Sequence, residues 1–163
     1  MSEEETVEVK VATPFDIYEI MDIGLAACEE NGLVNPNPAK LLQEIWSALH
    51  LKDGLVGIIR GDDNVVQGAI LLRIGTLWYS DEKILEEKAI FIHPDYRVGK
   101  IRRAPILCDF AKSVADRLGI PLIIGVLSSH RTEAKVRLYE RQFGKPSGAY
   151  FLYGGSTGMA KGH

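Results

Sequence analysis

Four basic residues fall within seven positions where a predicted strand gives way to a predicted helix: Arg97, Lys100, Arg102 and Arg103. The first turn of a helix carries unpaired backbone N–H groups and the positive end of the helix dipole, and both attract anions. Because the whole chain is acidic, with a formal net charge of -3, this cluster indicates a bound polyanion such as a pyrophosphate. The alternative is a solvated basic helix start that binds nothing.

The histidines and cysteines predict neither a metal site nor a disulfide. His50, His130 and His163 have no metal-ligand spacing with one another or with cysteine. Cys28 and Cys108 lie within helical apolar patterns, which is typical of buried thiols in a reducing compartment. His93 ends a strand just before a proline, and we interpret it as a structural residue.

The composition is that of an ordinary globular protein. The chain has 163 residues, 46% hydrophobic and 25% charged, enough to bury a core without a metal or disulfide. The acidic balance disfavours nucleic acid and anionic membrane surfaces as partners. The acidic start at residues 2–5 does not resemble a secretory signal, and no apolar run is long enough to span a membrane. We therefore expect a cytoplasmic protein.

Strand and helix patterns alternate along the chain and must position the basic cluster. The predicted elements are a strand at 7–11, helices at 13–31 and 41–49, strands at 55–59, 65–74 and 84–93, a helix at 102–118, a strand at 122–127, a helix at 132–143 and a strand at 149–153. The continuous apolar run at 122–127 predicts an interior strand covered on both faces. The order predicts an α/β fold with a mixed sheet in one domain, residues 1–153, and a loose tail at 154–163.

The stretch FIHPDYRVGKIRRAPIL, which begins at Phe91, resembles the signature of the GNAT superfamily, the acyl-CoA-dependent N-acetyltransferases. In that signature a strand leads into the pyrophosphate loop Q/R-x-x-G-x-G/A, and Arg97 matches its first residue. Lys100 and Arg102 stand where glycines are usual, and Gly99 comes one position early. The resemblance implies a CoA site formed by Phe91, Ile92, Arg97, Val98, Gly99, Lys100, Ile101, Arg102, Arg103 and Thr132.

A second stretch, RTEAKVRLYERQFGK, is similar to the GNAT segment in which an Asn precedes a helix carrying Leu-Tyr. Thr132 occupies the Asn position here. The resemblance implies that Tyr139 lies near the CoA sulfur and protonates the leaving thiolate. The alternative is a half-buried core tyrosine, because Thr132, Val136, Tyr139 and Phe143 form one helical stripe.

An amine must lose a proton before it attacks a thioester, and a carboxylate is the usual base. Glu86 and Glu87 alternate to opposite faces of a strand, and we expect Glu87 to share the face of Phe91 and His93. Glu87 matches the strand position where some GNAT enzymes carry their base. The alternative is that both glutamates are surface charges paired with nearby lysines.

The resemblance further implies a central, mostly antiparallel sheet flanked by helices, whose strands at 84–93 and 122–127 part to leave a slot. The implied reaction moves an acetyl group from acetyl-CoA to a primary amine by direct attack. The implied partner is an amine-bearing acceptor, either a small molecule or a protein amine. The sequence is also compatible with a homodimer. A non-catalytic CoA- or nucleotide-binding protein with this fold is the main alternative, and a basic interaction module is another.

Overall fold

The computed structural model describes residues 7–128 and 131–154, and these form five strands and four helices. In chain order they are β1 (Val9–Val11), α1 (Ile17–Asn31), α2 (Pro38–Leu49), β2 (Gly54–Arg60), β3 (Val66–Gly75), β4 (Ile84–Ile92), α3 (Arg103–Leu118), β5 (Leu122–Ile123) and α4 (Thr132–Phe143), with single 3₁₀ turns at Pro14–Asp16 and Pro94–Tyr96. Every predicted element except the last strand is present.

The helices end where the sequence places capping residues. Asn37 precedes α2, and its side-chain oxygen accepts a 3.0 Å hydrogen bond from the backbone N–H of Ala39. Gly32 and Gly119 end α1 and α3 in the left-handed conformation, with φ of 65° and 67°. In the described part of the chain, every helix is too short or too polar to cross a bilayer.

The five strands form one sheet in the order β1-β2-β3-β4-β5. The first four strands pair antiparallel with their neighbours, whereas β5 runs parallel to β4. The predicted mixed and mostly antiparallel sheet is therefore confirmed. The parallel pair is possible because α3 carries the chain back across the sheet between β4 and β5.

Helices cover both faces of the sheet. On one face α1 and α2 pack over residues of β2 and β3 such as Ile58 and Ala69. On the other face α3 packs over the alternate residues, with Leu107 against Ile59 and Ile70. Because side chains alternate along a strand, successive residues of β3 face α1 and α2 on one side of the sheet and α3 on the other.

A β-bulge interrupts β4 at Lys88. Leu72 of β3 pairs with Glu87 and Leu71 pairs with Ala89, so Lys88 has no partner in the register. The expectation that Glu87 shares a face with Phe91 and His93 is therefore wrong. Residues directly opposite each other in an antiparallel pair share a face. Glu87 thus lies on the α3 face, while Phe91, opposite Ala69, lies on the α1 face.

The sheet parts between β4 and β5. Only two residue pairs join them, Leu85 with Leu122 and Glu86 with Ile123, although β4 continues to Ile92. The predicted strand at 122–127 is therefore too long. It is also not an interior strand, because the side chains of Ile123 and Leu127 are 44% and 53% exposed. The apolar run reflects a strand at the edge of the sheet, which composition alone does not distinguish from an interior one.

The predicted strand at 149–153 is absent. The segment is described by the structure, but it forms no strand, and its side chains are exposed. The β-prone composition led to this prediction, and composition does not supply the neighbouring strand that a β-ladder requires. The tail predicted at 154–163 lies outside the described residues except for Gly154.

Candidate functional site

Glu87 lies where β4 and β5 part. Its Oε1 accepts a long hydrogen bond of 3.4 Å from the backbone N–H of Gly125, in the segment that follows β5. The bulge at Lys88 places the Glu87 side chain on the α3 face, where its charge acts on Cys108 of α3. One carboxylate therefore bridges the gap between the two strands.

Burial controls the acidity of Glu87. It raises the pKa of the carboxyl from 4.5 to about 7, while the hydrogen bond from Gly125 and the ammonium of Lys88 act in the opposite direction. A general base is most effective when its pKa lies near the working pH. At neutral pH this carboxyl is divided between its two forms, so it can accept a proton and release it again.

Tyr139 and Cys108 lie close to the same carboxylate. Burial, followed by the charges of Glu87 and Cys108, raises the pKa of the Tyr139 hydroxyl. Burial is also the main reason that the pKa of the Cys108 thiol rises to about 12. Both groups hold their protons at neutral pH, so neither can act as the base there. Cys108 was predicted as a buried thiol, which is confirmed, but not as part of this cluster.

The start of α4 is fastened to the segment after β5. Thr132 Oγ1 donates to the carbonyl oxygen of Ser128 at 2.8 Å, and Lys135 Nζ donates to Ser128 Oγ at 3.1 Å. Lys135 precedes Tyr139 by four residues, so the two share one face of the helix. Burial lowers the pKa of Lys135, and the nearby Glu30 carboxylate opposes that shift. Lys135 is not among the residues predicted from the sequence, although it lies four positions before Tyr139.

Tyr139 also makes the contact that a core role requires. Its ring lies 6.1 Å from the ring of Phe143 in an edge-to-face arrangement, and its side chain is half-buried. The stripe interpretation of α4 is therefore compatible with the same geometry. Only the position of Tyr139 beside Glu87 separates a chemical role from a purely structural one.

The loop before α3 exposes part of the basic cluster. Val98 is 79% exposed, and Lys100 and Arg102 are also exposed just ahead of the first turn of α3. Gly99 has a φ of 109°, and a Cβ built there would meet no atom within 4 Å. The glycine is therefore needed for the backbone conformation rather than for space.

The other two basic residues hold the loop in place. Arg97 donates to the Ile92 carbonyl at 2.7 Å and to Glu30 of α1 at 2.8 Å, and its guanidinium lies 5.0 Å from the centre of the Phe91 ring. Arg103 is buried, and its Nε donates to Gln67 Oε1 at 2.7 Å. The cluster thus divides into two framework residues and two residues facing solvent. The sequence does not reveal this division, because it depends on acceptors distant in the chain.

A cavity of about 490 Å³ lies on the α1 face beside this loop. Phe91 and His93 form one wall, and acidic residues of α1 form the other, namely Asp22, Glu29 and Glu30. His93 Nδ1 accepts from the backbone N–H of Asp95 at 3.2 Å and so caps a 3₁₀ turn, which confirms its structural interpretation. Within residues 7–128 and 131–154, no group of three or more His, Cys, Asp or Glu side chains could hold a metal ion.

Comparison with known proteins gives matches of fold. No family model matches the sequence, and no curated protein matches it at a significant level. A possible acetyltransferase from Clostridium difficile 630 superposes with a TM-score of 0.69 at 14% identity, over 93% of this chain and 99% of that one. Aminoglycoside N-acetyltransferase AAC(6')-Iy, solved in complex with CoA, gives 0.71 at 10% identity over 94% and 97%.

A third solved structure widens the range of acceptors among these neighbours. Ribosomal-protein-alanine N-acetyltransferase from Brucella melitensis biovar Abortus 2308 gives a TM-score of 0.64 at 15% identity, over 90% of this chain and 99% of that one. The three neighbours are all named as acetyltransferases, and the chain spans nearly their whole length. With a mixed sheet that parts between β4 and β5, the chain has the fold of the GNAT acetyltransferases.

Proposed function

We propose that this chain is an N-acetyltransferase that moves an acetyl group from acetyl-CoA to a primary amine. The observation that supports this most directly is the pairing of Glu87, with a pKa of about 7, and a protonated Tyr139 beside the gap between β4 and β5. A group that can take a proton therefore lies near one that can give a proton. Amine acyl transfer uses a base for the attacking ammonium and is assisted by an acid for the departing thiolate.

In this proposal the loop before α3 receives the pyrophosphate of CoA. Lys100 and Arg102 supply positive charge beside the first turn of α3, whose backbone N–H groups also favour an anion. Arg97 and Arg103 contribute indirectly, because their bonds to Glu30 and Gln67 fix the loop. Thr132 and Lys135, which bond to Ser128 at the start of α4, would contact the pantetheine arm. Backbone N–H groups near Phe91 and Ile92 would polarise the thioester carbonyl.

The pKa values of Glu87 and Tyr139 suggest which group takes a proton and which gives one. Glu87, directly or through one water, takes the proton of the acceptor's ammonium group, which frees the nitrogen lone pair. The nitrogen then bonds to the acetyl carbon, and the bond from that carbon to sulfur breaks. Tyr139 gives its proton to the departing thiolate, and the second proton that the acylated nitrogen must lose reprotonates Tyr139 through solvent. The products are an acetamide and free CoA.

The acceptor is proposed only as a class. Of the structural neighbours, one is named for aminoglycosides and another for the alanine of a ribosomal protein. Both are primary amines, and the acidic wall of the cavity beside Phe91 favours a cationic acceptor. An aminoglycoside, a diamine and an alanine-terminated peptide are therefore the first compounds to test.

Two measurements test the proposal. Isothermal titration with acetyl-CoA should show saturable binding, and a thiol-release assay across the amine panel should show acceptor-dependent CoA formation. Glu87→Gln should reduce the rate of thiol release. Its matched control is Glu86→Gln, because Glu86 lies on the opposite face of β4 and pairs with Lys88 at 2.7 Å. Absence of acetyl-CoA binding would contradict the cofactor assignment.

A second candidate is a CoA-binding protein without turnover. The observation that favours it is the exposed pair Lys100 and Arg102 in the positions where the GNAT loop has glycines. Side chains there restrict how closely the backbone approaches a phosphate. Binding of acetyl-CoA without thiol release for any amine in the panel would favour this candidate over the enzyme.

A further inference from the structure

The turn between β2 and β3, residues 61–65, contacts the segment that leads into α3. The Tyr96 hydroxyl donates a 3.0 Å hydrogen bond to Oδ2 of Asp63, although the two residues are 33 positions apart in the chain. Tyr96 ends a 3₁₀ turn, and the loop that carries Lys100 and Arg102 follows it directly. The contact therefore joins a hairpin turn of the sheet to the loop that carries the exposed basic residues.

The Asp63 carboxylate is itself held in place by the hairpin turn. Its other oxygen, Oδ1, accepts a 3.1 Å hydrogen bond from the backbone N–H of Val65. The backbone N–H of Gly61 donates to the Val65 carbonyl at 3.1 Å, and the Arg60 side chain donates to the Asn64 carbonyl at 2.7 Å. Asp63 therefore offers Tyr96 an acceptor that is already ordered, so the hydrogen bond costs little further conformational entropy.

Tyr96 and Arg103 connect the two ends of the loop 97–102. Arg103 Nη1 donates to the Tyr96 carbonyl at 3.3 Å, and the Arg103 guanidinium lies 5.2 Å from the centre of the Tyr96 ring. Arg103 also donates to Gln67 of β3 at 2.7 Å. One end of the loop is thus fixed to β3, and the other end is fixed to the turn at Asp63. A loop with both ends fixed has less freedom to lose when a ligand binds.

We propose that Asp63 and Tyr96 are positioning residues for the cofactor, because their hydrogen bond holds the loop 97–102 in the conformation that receives the pyrophosphate of CoA. This inference rests on the function proposed above, in which that loop binds CoA. Lys100 and Arg102 are exposed, and charge-assisted contacts with a phosphate depend on geometry. These two side chains reach an anion at the first turn of α3 only if the loop holds them beside it.

The contact lies at the surface of the protein rather than in its core. Asp63 is exposed and Tyr96 is half-buried. The hydrogen bond to Asp63 is the main reason that the pKa of the Tyr96 hydroxyl rises, so the hydroxyl keeps its proton at neutral pH and remains a donor. Substitutions at surface positions change overall stability little. Loss of this hydrogen bond should therefore affect the loop and leave the fold intact.

Calorimetric titration with acetyl-CoA tests the proposal with two variants that both remove the Asp63 charge. Asp63→Asn keeps a hydrogen bond, because its amide nitrogen can donate to the Tyr96 hydroxyl oxygen, whereas Asp63→Ala has no polar side-chain atom. Asp63→Ala should therefore bind acetyl-CoA roughly fivefold more weakly than Asp63→Asn. Tyr96→Phe should also weaken binding by roughly fivefold in the unmodified protein, but it should have no effect in the Asp63→Ala protein. Equal affinities of the Asn and Ala variants, or an undiminished effect of Tyr96→Phe in the Asp63→Ala protein, would overturn the proposal.

Trypsin cleavage of the ligand-free chain tests the loop without the cofactor, because trypsin cuts after Lys100 and Arg102. Tyr96→Phe should raise the cleavage rate at these two sites roughly fivefold, while cleavage after the exposed Lys52 keeps its rate. Unchanged cleavage in the loop, or equal acceleration at Lys52, would overturn the proposal. Failure of the unmodified chain to bind acetyl-CoA would instead contradict the proposed function, and the cleavage rates would still decide whether Asp63 and Tyr96 hold the loop.

Discussion

Replacing Glu87 by Gln isolates the property on which the proposed chemistry depends. Glutamine has nearly the shape of the protonated acid but cannot ionise. The folded protein holds the Glu87 pKa at about 7, against 4.5 for an unperturbed carboxyl. The unfolded chain therefore releases this proton at lower pH than the folded chain does. The native protein must lose stability as the pH rises from about 4.5 through 7, and the Gln variant escapes that loss.

The size of the effect follows from the two acidities. At pH 5 the cost of holding this carboxyl in its folded site is below about 1 kcal/mol, and at pH 8 it approaches about 3 kcal/mol. The stability of Glu87→Gln relative to the unmodified protein should therefore rise by about 2 kcal/mol between these values. Urea unfolding at both pH values measures this without knowledge of the acceptor. Glu86→Gln, which removes a carboxylate from the opposite face of β4, is the matched control in the same measurements.

The same variant should affect turnover in the opposite direction. With an amine that supports thiol release, the unmodified rate should rise through a pH midpoint near 7. Glu87→Gln should lose that dependence and roughly 10²-fold or more in rate, the usual contribution of a positioned base. If the two proteins differ equally in stability at pH 5 and pH 8, the raised pKa of Glu87 is refuted. If the stabilities behave as expected but turnover is unchanged, Glu87 is buried without being the base.

Three further predictions concern the remaining site residues. Tyr139→Phe should lower turnover on the order of 10²-fold with little change in acetyl-CoA affinity, and unchanged thiol release would leave Tyr139 with packing alone. Arg102→Gly should weaken acetyl-CoA binding roughly tenfold by calorimetry, through loss of a charge-assisted contact, whereas tighter binding would mean that the side chain obstructs the phosphates. Glu30→Gln removes the 2.8 Å partner of Arg97 and should cost about 1 kcal/mol in urea unfolding, with Asp22→Asn on the same helix as the control.

The sequence predicted the elements of the fold well because their ends carry local signals. Gly32 marks the end of α1 through a contact within a few residues, and the bounds of α4 were predicted without error. The helix predicted at 41–49 begins three residues earlier, at Pro38, because the Asn37 side chain caps it. The strand pattern failed where the outcome depended on a distant neighbour. Segment 149–153 has the composition of a strand, but a strand exists only when another one pairs with it.

The candidate site also combines features that local sequence signals reveal with features that depend on distant residues. Glu87 and Tyr139 were selected by resemblance, and the structure places them near each other. The face of Glu87 was predicted wrongly, because alternation cannot be counted across a bulge whose presence shows only in the register with β3. The anchoring of Arg103 by Gln67 was also not predictable, since the two residues are 36 positions apart.

The bulge at Lys88 leads to an expectation about how relatives of this chain vary. The side chain of Lys88 is exposed and pairs with its neighbour Glu86, so many residue types would serve there. The extra backbone unit is what bends β4, and β4 separates from β5 next to it. Deletion of Lys88 would leave every other pair in the β3 register intact while removing the bend. Among homologues, this alignment column should therefore vary freely in residue type and yet almost never contain a gap.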